Sequence, residues 1–115
     1  MKPLKRLPAV FYRSDQGREP VREWLKRLDP EDRRVIGEDI KDVEFSWPIG
    51  MPLVRFLGKG LWEVRSNLPG GRIARVLFCV DASSMILLQR FLKKTQKSPQ
   101  SEIELALRRM KGGVQ

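Results

Sequence analysis

The 115-residue sequence contains no histidine, one cysteine and one tyrosine. The absence of histidine excludes Ser-His-Asp and Cys-His catalysis and all acid–base chemistry that depends on an imidazole. Because Cys79 is the only cysteine, it can form no intramolecular disulfide, and the sequence has no cysteine–histidine set that would bind zinc. Any catalysis must therefore use Lys, Arg, Glu, Asp or Tyr side chains.

The sequence also lacks a long apolar run. No stretch of ~18 apolar residues is present, so we expect no transmembrane helix. The apolar stretch behind the basic N-terminus is short and is interrupted by Pro8, which is unlike a signal peptide. We therefore expect a cytoplasmic protein with a single domain over residues 1–115, a length typical of one domain.

Acidic residues are scarce in the second half of the sequence. The chain has 23 Lys and Arg against 14 Asp and Glu, a net charge of +9. Residues 1–60 carry 13 basic and 10 acidic side chains, whereas residues 61–115 carry 10 basic and only 4 acidic ones. This excess favours a polyanionic partner, because Lys and Arg contacts to phosphates release condensed counterions. The alternative is a basic solvated surface without a nucleic-acid partner.

The hydrophobic pattern predicts the element order β-α-α-β-β-β-α. A short strand is expected over residues 7–12, followed by two amphipathic helices that begin at Pro20 and Pro30, since proline suits the first position of a helix. The apolar residues of the two helices recur three or four positions apart and are Val21, Trp24, Leu25, Leu28, Ile36, Ile40, Val43 and Trp47.

Three β-like runs, residues 61–66, 73–80 and 85–92, follow a connector rich in proline and glycine, and the short turns between them predict an antiparallel meander. A last helix is predicted to begin at Pro99, with Ser98 as its N-cap, and to stop at Gly112-Gly113. The sum is an α+β domain, in which a small, mainly antiparallel sheet has the helical hairpin on one face, together with a C-terminal helix. We expect the other face of the sheet to be available for a ligand.

The first run of the meander carries two charged residues. Strand alternation places Trp62 and Val64 against the helices and puts Glu63 and Arg65 on the other face. Arg75 lies within an apolar run of the next strand, where a charge needs an anionic partner or an exit to solvent. Whether Arg75 shares a face with Glu63 and Arg65 depends on the strand register and stays open here. Alternatively, Glu63 and Arg65 form an exposed ion pair that only adds to stability.

A lysine-rich segment ends the third run, with Lys93, Lys94 and Lys97 just before the predicted last helix. Ammonium groups, a threonine hydroxyl and helix amides together suit a phosphate group. A solvated basic turn is the alternative. The further residues that we predict to bind RNA are Lys59, Arg72, Arg90 and Lys97.

These residue types could cleave RNA without histidine and without a metal or other cofactor, because RNA supplies its own nucleophile, the 2′-hydroxyl. Such cleavage needs a base, cations that stabilise the phosphorane, and an acid for the leaving oxygen. Glu63 could be the base, Arg65 and Arg75 the cations, and Lys93 or Lys94 the acid. Binding alone would use the same cations, so composition does not separate a nuclease from a binding protein.

Several motifs resemble those of the RelE/ParE superfamily of toxins. Within that superfamily, the resemblance is strongest to the HigB-like, phage-derived-protein branch. The resemblance covers about residues 20–109, and its most distinctive part is the block Lys-Lys-Thr-Gln-Lys-Ser-Pro at 93–99. The other matching segments are residues 61–65, 75–78 and 87–92, with Glu102, Ile103 and Ala106.

The resemblance implies a RelE-like fold and a toxin of a type II toxin–antitoxin pair, in many relatives a ribosome-dependent mRNA endoribonuclease. Its partners would be mRNA on the ribosome and a helix-turn-helix antitoxin encoded beside it, with operator DNA bound only through that antitoxin. Arg65, Arg75, Lys93 and Lys94 match basic positions of the family, and Glu63 matches an acid that some relatives use as base.

The sequence departs from this family at Gln89, where the HigB-like branch often has histidine. Several relatives use a histidine or a terminal tyrosine in catalysis, whereas Tyr12, the only tyrosine here, lies in the first predicted strand. Two alternatives to cleavage therefore remain. The protein could bind a protein target such as a replication enzyme, or it could be a basic module that binds RNA or the ribosome.

Overall fold

The computed structural model describes residues 4–95 and 97–112. Three helices and five strands follow one another along the chain, and a short 3-10 turn over Pro69–Gly71 joins two of the strands. The elements are β1 Ala9–Phe11, α1 Pro20–Arg27, α2 Pro30–Ser46, β2 Val54–Gly58, β3 Leu61–Leu68, β4 Arg72–Asp81, β5 Ser84–Lys93 and α3 Gln100–Lys111. The predicted α+β class is confirmed, and both predicted helix starts, Pro20 and Pro30, are the first residues of their helices.

The five strands form one mixed sheet in the order β1-β5-β4-β3-β2. Strand β1 runs parallel to β5, and the remaining neighbours are antiparallel. The predicted element order is wrong in one place, because β2 lies within the connector that we expected to be a loop. Val54 pairs with Val64 and is buried in the core, so this short stretch gains enough apolar contact to extend the meander by one strand.

Helices α1 and α2 cover one face of the sheet. Ile36 and Val43 of α2 are fully buried against sheet residues such as Val76 and Phe78. Trp62 also faces this side, with its ring 5.3 Å from that of Trp47. The hairpin and its apolar spacing are thus as predicted, and this face holds the larger part of the core.

Helix α3 packs on the opposite face, so the expectation of an open face is wrong for much of the sheet. Leu61, Leu77 and Leu88 are buried there against Ala106 of α3. Cys79 lies in the same layer, and its burial, together with the nearby Asp81 carboxylate, raises the pKa of the thiol to about 11.

The start of α3 also differs from the prediction. The helix begins at Gln100, Pro99 occupies the N-cap position, and no side chain of the described residues caps the helix. The Ser98 hydroxyl donates to a carboxylate oxygen of Glu63 at 2.6 Å. A hydrogen bond to a charged carboxylate is stronger than the hydrogen bond between a serine hydroxyl and a backbone N–H that caps a helix. The Ser98 hydroxyl therefore binds Glu63 and does not cap α3. The helix ends at Lys111 with Gly112 after it, and the predicted second stop residue, Gly113, lies outside the described residues.

Candidate functional site

The strand register brings three of the predicted site residues onto one face of the sheet. Arg65 of β3 is directly opposite Arg75 of β4, and Glu63 is opposite Leu77. Directly opposite residues in an antiparallel pair project to the same side. Glu63, Arg65 and Arg75 therefore share the face on which α3 packs, which answers the question that the sequence left open.

Glu63 is fully buried, although the sequence predicted it at an exposed face. Its two carboxylate oxygens have different partners: Oε1 accepts from Arg65 Nη1 at 2.6 Å, and Oε2 accepts from the Ser98 hydroxyl at 2.6 Å. A buried carboxylate needs such compensation, because removal from water strongly disfavours its charged form. The ion pair and the hydroxyl together fix the orientation of Glu63.

Arg75 is also fully buried. Its Nη2 donates to the backbone carbonyl of Thr95, and its guanidinium carbon lies 5.3 Å from the centre of the Phe91 ring. Nε and Nη1 have no hydrogen-bond partner within the part of the chain that the structure describes. Burial is the main cause that lowers the pKa of Arg75, and the positive charge of Arg65 lowers it further. Arg75 thus carries buried donors that an anion would satisfy.

The β5–α3 connection lies over this Glu63–Arg65–Arg75 group. Thr95 and Ser98, which belong to that connection, supply the contacts to Arg75 and Glu63. The lysines of the same segment, Lys93, Lys94 and Lys97, are exposed. Lys93 pairs with Ile73 and therefore lies on the α3 side of the sheet. It is two positions along β5 from Phe91, the residue opposite Arg75. The structure therefore places ammonium groups at the surface above a buried Glu–Arg group.

The other residues predicted to bind RNA do not join this group. Lys59 is exposed in the turn between β2 and β3. Arg72 forms a bidentate ion pair with Asp32, at 2.9 and 3.1 Å, which ties β4 to α2. Arg90 lies on the other side of the sheet, with its guanidinium carbon 6.0 Å from the Trp24 ring. Arg72 therefore has a structural partner, and Arg90 belongs to a separate part of the surface.

Gln89 joins the sheet to α3. Its Nε2 donates to Glu102 Oε1 at 2.7 Å, and its Oε1 accepts from Arg109 Nη1 at 2.9 Å. Both ends of the buried amide are thus engaged by residues of the helix. Sequence reasoning assigned no role to Glu102 or Arg109 in this contact, since their partner is fixed only when α3 crosses the sheet.

No helix in the described residues, 4–95 and 97–112, is long and apolar enough to span a membrane. Within the same residues, no group of three or more Cys, Asp or Glu side chains is arranged to hold a metal ion.

The fold and the site define a small basic α+β domain whose sheet carries a buried Glu–Arg group below a lysine-rich connection. Residues 23–111 match the family model described as Phage derived protein Gp49-like (DUF891). The match spans most of the chain, so the protein belongs to this family, which is associated with RelE-like toxins of toxin–antitoxin systems. No curated protein matches the sequence. The resemblance to this kind of toxin is confirmed at the level of the Gp49-like family.

Proposed function

We propose that this protein is a HigB-like toxin of a type II toxin–antitoxin pair, with a RelE-like fold, that cleaves mRNA on the ribosome without a metal. The family supports the toxin role. The observation that carries the nuclease role is the common face of Glu63, Arg65 and Arg75, in which a carboxylate that could act as base lies beside buried guanidinium donors.

The proposed reaction transfers a phosphoryl group within the RNA strand. Glu63 removes the proton of a 2′-hydroxyl, the 2′-oxygen bonds to the adjacent phosphorus, and the bond from phosphorus to the 5′-oxygen breaks. Arg65 and Arg75 stabilise the negative charge of the phosphorane, and Lys93 or Lys94 gives a proton to the leaving 5′-oxygen. The products are a 2′,3′-cyclic phosphate and a free 5′-hydroxyl.

This reaction requires the β5–α3 connection to move away from the Glu63–Arg65–Arg75 group. A phosphate oxygen would then replace the Thr95 carbonyl as the acceptor for Arg75 and would also satisfy its unpaired donors. Release of Ser98 would leave one oxygen of Glu63 available to accept the 2′-hydroxyl proton. Exposed Lys93, Lys94 and Lys97 would attract the RNA backbone to this edge.

The proposed partners are a helix-turn-helix antitoxin encoded beside the toxin, translated mRNA, and operator DNA through the antitoxin. We expect induction of the protein in the cytoplasm of a bacterial host to stop growth and to cut translated mRNA, and we expect co-expression of the adjacent open reading frame to restore growth. Arg75→Gln should abolish both effects, whereas Arg33→Gln, at an exposed site on α2, should retain them. Growth arrest with intact mRNA and induced DNA-damage signalling would instead indicate a replication enzyme as target.

A further inference from the structure

A second basic site lies beyond the β1 edge of the sheet. Strand β1 ends at Phe11, whereas β5 continues to Lys93, so no strand of the described residues pairs with the outer edge of β5 over its second half. Helices α1 and α3, which lie on opposite faces of the sheet, both reach this edge and enclose an open cavity of about 530 Å³. That volume is within the range of small-molecule binding sites.

Arginine dominates the lining of this cavity. Five arginines take part: Arg18, Arg27, Arg90, Arg108 and Arg109. Glu23 is the only carboxylate among the lining residues that the structure describes, and it is already paired with Arg18 at 2.8 Å. The lining therefore carries a surplus of four positive charges. Such a surplus in a partly enclosed site is unfavourable unless an anion compensates it.

The arginines also differ in how far their donors are used. Arg109 donates to the Leu88 carbonyl and to Gln89, both of them uncharged acceptors. Arg90 has a buried Nε without a partner in the described part of the chain. The side chains of Arg27 and Arg108 form no hydrogen bond or ion pair within residues 4–95 and 97–112. Several guanidinium groups therefore surround one cavity with N–H groups that have no hydrogen-bond acceptor in the described residues.

An aromatic side chain completes the cavity. Tyr12 follows β1, lines the space, and lies under Arg109 with the guanidinium carbon 5.4 Å from the ring centre. Guanidinium groups bind phosphate oxygens in a bidentate manner, and aromatic rings stack on nucleobases. Burial is the main cause that lowers the pKa of Arg90, the charge of Arg27 lowers it further, and Glu102 raises it, so an anion in the cavity would favour the charged guanidinium.

We propose that this arginine cavity binds the phosphate group of a nucleotide, either free or within an RNA strand. The cavity is separate from the Glu63–Arg65–Arg75 group, because none of those three residues lines it. The inference therefore goes beyond the proposed cleavage reaction and does not depend on it. A bound phosphate would bridge α1 and α3 across the free edge of β5.

The test is isothermal titration calorimetry on the purified full-length protein without ribosomes. The probes are inorganic phosphate, adenosine monophosphate, a hexaglutamate peptide and a six-nucleotide 2′-O-methyl RNA, the last of which lacks the hydroxyl needed for cleavage. The cavity variant is Arg27→Gln with Arg108→Gln. Neither arginine side chain forms a hydrogen bond or an ion pair within the described residues. The control is Arg6→Gln with Lys41→Gln, which removes the same charge from exposed positions outside the cavity.

We expect the parent to bind at least one nucleotide probe and the cavity variant to lose affinity for it by at least about tenfold, since it loses two charge-assisted contacts. The control should change the affinity by less than about twofold at equal ionic strength. Equal binding of the monophosphate and the RNA assigns the site to free nucleotides, whereas binding of the RNA alone assigns it to a strand. No binding of either nucleotide probe by the parent, or equal losses in both variants, would overturn the proposal. Tighter binding of a hexaglutamate peptide than of the RNA would also overturn it, in favour of an acidic protein partner.

Discussion

Substitution of Ser98 by alanine should weaken the attachment of the β5–α3 connection to the sheet. Ser98 is buried, and its hydroxyl donates to Glu63 Oε2 at 2.6 Å, while Arg65 engages the other oxygen. A hydrogen bond to a charged group contributes about 1.5–3 kcal/mol to stability, and its loss leaves an oxygen of a fully buried carboxylate with one donor fewer. We therefore expect Ser98→Ala to lower the free energy of unfolding by about 2 kcal/mol.

Urea unfolding followed by tryptophan fluorescence measures this change, provided that the slope against denaturant stays constant. The matched control is Ser101→Ala, which removes a hydroxyl from an exposed position of α3 and should change stability by less than ~0.5 kcal/mol. Equal stability of the two variants would refute the reasoning, because Ser98 would then contribute nothing that holds the connection over Glu63. A loss well above 3 kcal/mol would point to a wider disruption of the Glu63–Arg65 pair.

Two further predictions concern Glu23, which lines the arginine cavity, and Gln89, which joins the sheet to α3. The pKa of Glu23 is lowered from 4.5 to about 2, chiefly by the hydrogen bond from Arg18, so this carboxylate stabilises the fold above pH 4.5 and loses that effect as the pH falls towards 2. Arg18→Gln should raise the pKa of Glu23 towards its ordinary value in a carboxyl NMR titration, and a midpoint still near 2 would contradict the assignment. Gln89→Leu should remove the bonds to Glu102 and Arg109 and lower the free energy of unfolding by about 1–3 kcal/mol. Amide hydrogen exchange in α3 should then become faster, and unchanged exchange would contradict the role of Gln89.

Local patterns in the sequence predicted the helical hairpin and the meander well. Pro20 and Pro30 start their helices, and the apolar spacing from Val21 to Val43 places buried residues towards the sheet. These features depend on residues close in sequence, for which helix and strand periodicity is informative. Strand β2 was missed because Val54 lies among prolines and glycines, and only pairing with β3 makes it a strand.

The geometry of the candidate site was predicted in part. The alternation in β3 correctly put Glu63 and Arg65 on one face, but the position of Arg75 required the register of β3 with β4. The burial of these residues depends on Thr95 and Ser98, which reach them from 20 to 35 positions away in the chain. No local pattern indicates such a contact, and Ser98 before a proline resembles a helix cap.

The arginine cavity was not predicted at all. Its residues come from the loop after β1, from α1, from β5 and from α3, so they are far apart in sequence. Arg90 was predicted to bind RNA because it lies in the basic half of the chain, and the structure places it with Arg27 on the cavity wall, away from the Glu63–Arg65–Arg75 group. The net charge of a sequence indicates the sign of the charge that its partner carries. The place of contact depends on which helices and strands end at the same edge of the sheet.

The most direct test of the proposed function is cleavage of mRNA in a purified translation system, with the cut positions mapped by primer extension. We predict that the parent cuts ribosome-bound mRNA to leave 2′,3′-cyclic phosphate ends, and that a single 2′-deoxynucleotide at the cut position blocks the cut. Glu63→Gln should abolish cutting, and Arg33→Gln should retain it. Cutting of the deoxy-substituted mRNA, undiminished cutting by folded Glu63→Gln protein, or no cutting by the parent would contradict the account.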